Sequence, residues 1–563
     1  MKKIWKVMLS SALALSMLSA CGGAGSTGTT TKAAGAAATT KAAGAAAGTT
    51  AAGAATTKAA GAATTKAAAS SGSAKTLRIA AVDPQVPLDM MQNTYTIIMR
   101  ITDNVTESLL TTLDDGSLKP VLLKEMPTLS SDKLTYSFTL KSGVKFHDGT
   151  ALTSKDVKFS LERLVKMKSM SSLMENVVGY DTFSKGTSTE MSGIKVVDDT
   201  HFTITLTKIY TPFTATLSTP YACIYPQAAC EKAGDDWGKK VLIGTGPFKL
   251  DSYTAGSGAE LSAFADYHEG APKIGKISYK FIEDANTQVL EYQKGNIDFL
   301  DLDNALYPVY ANTPKIKDEM HFFQAQGGYY FNFNVKTISD PKVREAIALS
   351  IDRKSICDSV LHGTASVPTS FIPKGLIGHS DTAKEYEYDP AKAKSLLAEA
   401  GFANGYSLRI TVNTKNNLGK SIATAYQEQA KASGITVNVE TVDSAAWTDM
   451  KKNGTMDCST SNWYVDYSDP DSMLYPVSDK RVDLVSSFWH NADFKKLMEQ
   501  GVETDDKAAR EKIYEEAESI LCRKDFAITP LINEKKFYLL NPKVTGFEIG
   551  SANRLDLSKA DIQ

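Results

Sequence analysis

Leu134-Thr135-Tyr136-Ser137-Phe138-Thr139-Leu140 runs, through Gly143 and His147-Asp148-Gly149, into Thr153-Ser154-Lys155-Asp156-Val157-Lys158-Phe159-Ser160-Leu161-Glu162-Arg163. In the first segment large apolar residues alternate with Thr and Ser, the period of a strand with one buried face. The glycines mark turns. Thr153 and Asp156, three apart, read as a capping box that opens a helix. Val157, Leu161 and Leu164 fall on one face of that helix. A strand, a turn and a capped helix in close succession already indicate a mixed α/β protein.

The pattern continues on both sides. Thr76–Val82 reads as a short strand running into Asp83-Pro84, and Ile194–Val197 and Phe202–Leu206 as a hairpin about Asp198-Asp199. Gly244-Thr245-Gly246-Pro247-Phe248 is a turn entering a strand, and Ile277–Ile282 is another strand. In Tyr329–Val335 the spacing puts Tyr329, Phe331, Phe333 and Val335 on one face, with Tyr330, Asn332 and Asn334 on the other. Asp340-Pro341 and Asp389-Pro390 each place an N-cap before a proline at the first helical position. The faces expected to be buried are Val343, Ala346, Ile347 and Ile351 in the first helix, and Ala393, Leu396, Leu397 and Ala400 in the second, which Gly401 stops. Strands return at Leu408–Val412 and Ile435–Val442, and a late helix at Glu511–Leu521. The body shows no transmembrane stretch, so the residues predict an α/β protein of more than one lobe.

The beginning of the chain has a different character. Residues 1–20 carry Lys2, Lys3 and Lys6 before a short apolar run, the pattern of a signal peptide. The run ends in Leu18-Ser19-Ala20-Cys21, which resembles the lipobox of bacterial lipoproteins and implies acylation of Cys21. Gly22 to Lys75 is of low complexity, and a unit close to Thr-Thr-Lys-Ala-Ala-Gly-Ala-Ala recurs from Thr30 to Ala68 without aromatic or branched aliphatic residues. It buries too little apolar surface to offset its ordering entropy. Residues 21–75 are therefore expected to be a tether, with a reach of roughly 40 Å as a coil. Residues 1–75 together hold eight lysines and no acid. Removing them from the 62 bases leaves 54 against 64 acids, a net of −10, which disfavours a nucleic-acid partner. Six cysteines without CxxC spacing, and seven histidines without HxH or HExxH spacing, point to no metal. Cys223 and Cys230 are close enough to close a small loop or to remain thiols.

Several runs together resemble the oligopeptide- and dipeptide-binding proteins of ABC importers, solute-binding family 5. They are Glu107-Ser108-Leu109-Leu110, Tyr136–Leu140, Gly143–Thr150, Asp156–Arg163, Gly244–Leu250, Gly295-Asn296-Ile297-Asp298, Tyr330–Asn334, Val343–Ile347 through Ile351-Asp352-Arg353, and Trp463-Tyr464-Val465-Asp466-Tyr467-Ser468-Asp469-Pro470. The resemblance implies a two-lobed periplasmic-binding-protein type II fold with an extra domain inserted in lobe I. Carried onto this chain, lobe I is residues 76–104, 239–321 and 533–563, the extra domain 105–238, and lobe II 322–532. It further implies a short peptide enclosed between the lobes as an added strand, and no cofactor. The expected partners are an importer permease with its ATPase subunits, and the membrane through lipidated Cys21. The expected location is the outer face of the cytoplasmic membrane, as a monomer.

By the same resemblance Asp466 holds the peptide ammonium, a charge-assisted bond of roughly 1.5–3 kcal/mol. From local pattern alone Asp466 reads as a turn cap before Asp469-Pro470. The backbones of Asn462 and Tyr464 are the expected strand partners of the ligand, and Gln85 and Val86 match the opposing segment loosely. Trp463 and Tyr467 read either as pocket walls or as core aromatics, and His147 as a structural residue of its turn. Within the family the alternative ligands are a sugar, a nickel chelate or haem. The alternative class is a surface-anchored hydrolase, but there is no GxSxG or HExxH run, and Asp466 with Asp469 is too local for an acid–base pair across a cleft.

Overall fold

The structure is a computed structural model that describes residues 75–113, 115–380, 383–477, 486–550 and 553–563. The expected signal peptide, Cys21 and all but the last residue of the tether lie outside the described residues. Among the described residues no helix is long and apolar enough to cross a membrane.

A large mixed sheet organises the body. In chain order its main strands are β1 (Thr76–Ala81), β2 (Phe248–Thr254), β3 (Gly258–Ala263), β4 (Lys276–Phe281), β5 (Phe299–Leu302), β6 (Met320–Phe333), β7 (Tyr406–Asn413), β8 (Ile435–Val442), β9 (Cys458–Tyr464) and β10 (Ile528–Leu540). Across the sheet they lie in the order β8-β7-β9-β6-β10-β5-β1-β4-β3-β2, and Ala365–Ser366 also pairs with β10. The middle is the antiparallel pair β6–β10, strands of 14 and 13 residues. Their register slips between Gln324 and Gly328 and again between Tyr329 and Tyr330. Glycines allow the crowding there: a Cβ on Gly327 would lie 2.1 Å from the Trp463 carbonyl, and one on Gly328 2.0 Å from that of Ile532. A separate antiparallel sheet is ordered Thr128–Leu129, Thr135–Thr139, His201–Thr205, Ile194–Val196.

Apolar burial divides along the same line. Two clusters draw their fully buried members from residues 77–316 and 537–560. Two others draw theirs only from 329–532. Residues 105–238 share one continuous core with β1–β4. Arg163 helps to join them. It donates to Asp89 at 2.6 Å in a buried ion pair, and the Tyr225 hydroxyl adds a bond to Asp89 at 3.1 Å.

The local signals fold as they read. Helix Ser154–Met167 starts at Thr153, whose backbone N–H and hydroxyl donate to Asp156 at 3.0 and 2.6 Å. The other Asp156 oxygen accepts from the Gln227 N–H at 3.0 Å. Asp156→Ala is therefore expected to cost about 1 kcal/mol of stability, measured by denaturant unfolding. Asp340 and Asp389 cap helices Pro341–Leu349 and Pro390–Glu399 at 2.8 Å each.

Some expectations change. Leu396 and Ala400 are only half-buried. Val335 lies beyond the end of β6 and packs with the cluster of Tyr330, not with that of Phe333. Cys223 and Cys230 are buried free thiols, both beside the Asp89–Arg163 pair. His147 is a staple between turns: its Nδ1 accepts from the Gly244 N–H at 3.3 Å and its Nε2 donates to the Gly246 carbonyl at 2.9 Å. Burial pushes the His147 pKa down to about 4, which keeps the ring neutral in that role.

Candidate functional site

The candidate site grows out of the end of β9. On one side β9 is antiparallel to β6 from Cys458 to Tyr464. On the other it meets β7 only at Cys458 and Ser459, so from Thr460 onward that edge has no strand neighbour among the described residues. The Val465 N–H still donates to the Gln326 carbonyl at 3.0 Å. Backbone groups of successive strand residues point to opposite sides. Val465, Trp463 and Ser461 therefore spend theirs on β6, while Tyr464, Asn462 and Thr460 turn theirs to the open edge.

Beyond β9 the chain is pinned by Ser472. Its hydroxyl accepts from the Asp466 N–H at 2.8 Å, and its carbonyl from Trp463 Nε1 at 3.0 Å. The cap of helix Pro470–Leu474 is Asp469, which accepts from the Asp471 N–H at 3.0 Å. Arg510 holds the same carboxylate with Nη2 2.9 Å from each oxygen, and both side chains are buried. Asp466 is thus released from the turn-capping role that its local pattern allowed.

Two cavities flank Trp463. The smaller, about 150 Å³, is lined by Asp466 and Tyr467 together with Met170, Leu173, Tyr210 and Tyr475. The Asp466 carboxylate accepts no hydrogen bond and joins no ion pair among the described residues. Burial pushes it up to about 6. Its charge also acts on the Tyr221 hydroxyl, which burial above all holds well above the ordinary tyrosine range. The larger cavity, about 450 Å³, is lined by Asn462 and Trp463 on β9 and by Tyr329 and Tyr330 on β6.

Tyr467 is committed on its own side. Its hydroxyl lies 3.0 Å from that of Tyr210, and both donate to Asp471 Oδ2, at 2.9 and 2.7 Å. Burial pushes Asp471 up to about 6, with the neighbouring Asp469 charge adding to it. The Tyr464 hydroxyl bonds Glu534 on β10. Further bonds join residues 105–238 to 322–532 around this point: Thr211 N–H to the Val502 carbonyl at 2.8 Å, and Tyr475 hydroxyl to Glu175 at 3.0 Å.

Of the sequence-predicted residues, Asn462 and Trp463 line the larger cavity and Trp463, Asp466 and Tyr467 the smaller, while Tyr464 lines neither. Gln85 and Val86 line neither of these cavities. The Gln85 N–H is spent on Asp83 at 2.9 Å, and the Val86 carbonyl accepts from Tyr253 at 3.0 Å. Tyr210, Tyr221, Lys415 and Thr460 carry no signal in the sequence, because each reaches the site only through long-range packing. Among the described residues no three His, Cys, Asp or Glu side chains gather where they would hold a metal ion.

Known proteins share this architecture. The model of the bacterial extracellular solute-binding proteins, family 5 Middle, matches residues 117–483. The glutathione-binding protein GsiB of Escherichia coli (strain K12) is 26% identical over 508 residues, 87% of this chain and 95% of that protein. Heme-binding protein A of Haemophilus influenzae is 26% identical over 456 residues, 76% and 81% of the two chains. Haemophilus influenzae OppA in complex with RPPGFSPFR has a TM-score of 0.71 at 23% identity, covering 87% of this chain and 99% of that one. At that identity the likeness speaks for the fold.

Proposed function

We propose that this chain, which belongs to the bacterial extracellular solute-binding proteins of family 5, captures short peptides by their free ammonium and hands them to an ABC importer permease. The fold is the two-lobed type II arrangement of periplasmic binding proteins, and the family serves transport, not catalysis. The observation that carries the peptide reading is Asp466, a carboxylate raised by burial and left without a partner among the described residues, beside an open strand edge. An extended peptide on that edge would bond the backbones of Asn462 and Tyr464, groups that serve any sequence. Its ammonium would then reach Asp466, with Trp463 and Tyr467 as walls.

We assign lobe I to 76–104, 239–321 and 533–563, the extra domain to 105–238 and lobe II to 322–532. The division of the buried clusters supports the outer boundaries, which fall inside β6 and β10. The slipped register of that pair suits a hinge, since few residues then absorb the motion. A ligand touching both lobes favours the closed form by its differential affinity. We further assign residues 1–20 to a signal peptide, Cys21 to a lipid anchor on the outer face of the membrane, and 21–75 to a tether.

Native mass spectrometry of the protein with a pool of di- to hexapeptides and their N-acetylated counterparts tests this reading. Selective one-to-one retention of free-amine peptides is the expected result. No retention across the pool would overturn it in favour of a non-peptide solute such as a sugar, nickel chelate or haem.

A further inference from the structure

We propose that residues 105–238 are a clasp: they ride on lobe I, grip lobe II through Thr211 and Tyr210, and so keep a closed form populated in the protein without ligand. This rests on the lobe assignment above and not on the identity of the ligand.

The grip centres on the end of helix Ala492–Glu503 in lobe II. The last carbonyls of a helix have no partner within it. That of Val502 accepts from the Thr211 N–H at 2.8 Å and from the Thr211 hydroxyl at 3.0 Å. Just past the same helix end, Asp505 forms an exposed ion pair with Lys133. The neighbouring Tyr210 hydroxyl donates to the buried Asp471 at 2.7 Å, and the Tyr475 hydroxyl to Glu175 at 3.0 Å. The backbone of Gly116 completes the approach: a Cβ there would lie 3.1 Å from Ser468 Oγ and 3.3 Å from the Gly375 carbonyl.

Two observations decide which body carries the clasp. Residues 105–238 share their core with β1–β4, so they turn with lobe I. Each residue they grip belongs to 322–532, and Tyr467 of that lobe packs against the shared core. A hinge at β6–β10 would carry the two sides apart and break all of these contacts. They involve protein groups alone, so they favour the closed form whether or not a ligand bridges the lobes. A ligand that binds the closed form is then weakened only by the fraction of protein left open. Residues that touch no ligand thereby set how tightly it is held.

Single-molecule energy transfer on the full chain without ligand tests this, with one dye on residues 105–238 and one on lobe II. A closed and an open population are expected. Thr211→Val should lower the closed-to-open ratio roughly two- to tenfold, Tyr210→Phe about tenfold, and Asp505→Lys about threefold. Adding Lys133→Asp to Asp505→Lys should restore the ratio, which a general loss of stability would not allow. Lys133, Thr211 and Asp505 line neither cavity, so the affinity of Thr211→Val and Asp505→Lys for a free-amine peptide should fall in step with their closed fraction. A single distance that no variant moves, or affinity lost with the ratio unchanged, would overturn the clasp. The ratio is read without ligand, so it decides the matter whether or not peptides bind. The peptide reading stands or falls separately, on discrimination between free-amine and N-acetylated peptides.

Discussion

Asp466→Asn is expected to weaken binding of a free-amine peptide roughly ten- to 150-fold, and to change binding of its N-acetylated form little. The asparagine carbonyl can still accept from the ammonium but supplies no counter-charge, and solvent screens the lost charge–charge attraction poorly inside the cavity. The same substitution should make the unliganded protein more stable at neutral pH. Burial raises the Asp466 pKa from 3.8 to about 6. A carboxyl raised in this way favours the folded state fully below its unfolded pKa, and that contribution is lost as pH rises through 6. At pH 7 the ionised carboxylate is therefore a burden on the fold, which asparagine removes. The residue is only partly buried, so solvent keeps the gain to about 1–2 kcal/mol. Thermal unfolding of the two free proteins at pH 7 and pH 4 checks this: the difference should be present at 7 and gone at 4. Loss of binding with a gain of stability is the mark of a group kept for its ligand.

Arg510→Ala is expected to cost about 3–5 kcal/mol, because it leaves Asp469 buried and charged without its partner. Arg510 also donates to the Gly501 carbonyl at 2.8 Å, so a second bond goes with it. Asp469 caps the helix that carries Ser472, and Ser472 fixes both Trp463 and Asp466. Affinity should fall along with stability, although Arg510 lines neither cavity. Urea unfolding of free protein gives the first effect, and peptide titration well below the unfolding midpoint gives the second. Unchanged stability would contradict the structural role of the pair.

These two residues also mark how far the sequence could be read. Signals that act over three or four residues were legible. Thr153 with Asp156, Asp340-Pro341 and Asp389-Pro390 all open helices where the spacing puts them. The alternation in Tyr136–Leu140 and in Tyr329–Phe333 appears as strands with buried faces. The first half of β6 was not legible, since His321 to Gly328 does not alternate and ends in two glycines whose need is set by β9 and β10. β10 was not legible either: its first residues are buried on both faces, against two different clusters, so no period of two survives. At the site, the run from Trp463 to Pro470 stood out by resemblance. Local pattern alone made Asp466 a turn cap before Asp469-Pro470, whereas the structure gives the cap to Asp469. That is decided by Ser472 and by Arg510, which lies 41 residues beyond Asp469.

Capture of the ammonium by Asp466 is tested most directly by calorimetric titration of the wild-type protein with one free-amine peptide and its N-acetylated form at pH 5 and pH 7.5. The free-amine peptide is expected to bind about tenfold more weakly at pH 5, with a proton released on binding, because the ammonium needs an Asp466 that is ionised only above about 6. The acetylated form should bind weakly at both pH values. Equal affinity of the two peptides at pH 7.5 would contradict capture of the ammonium by Asp466.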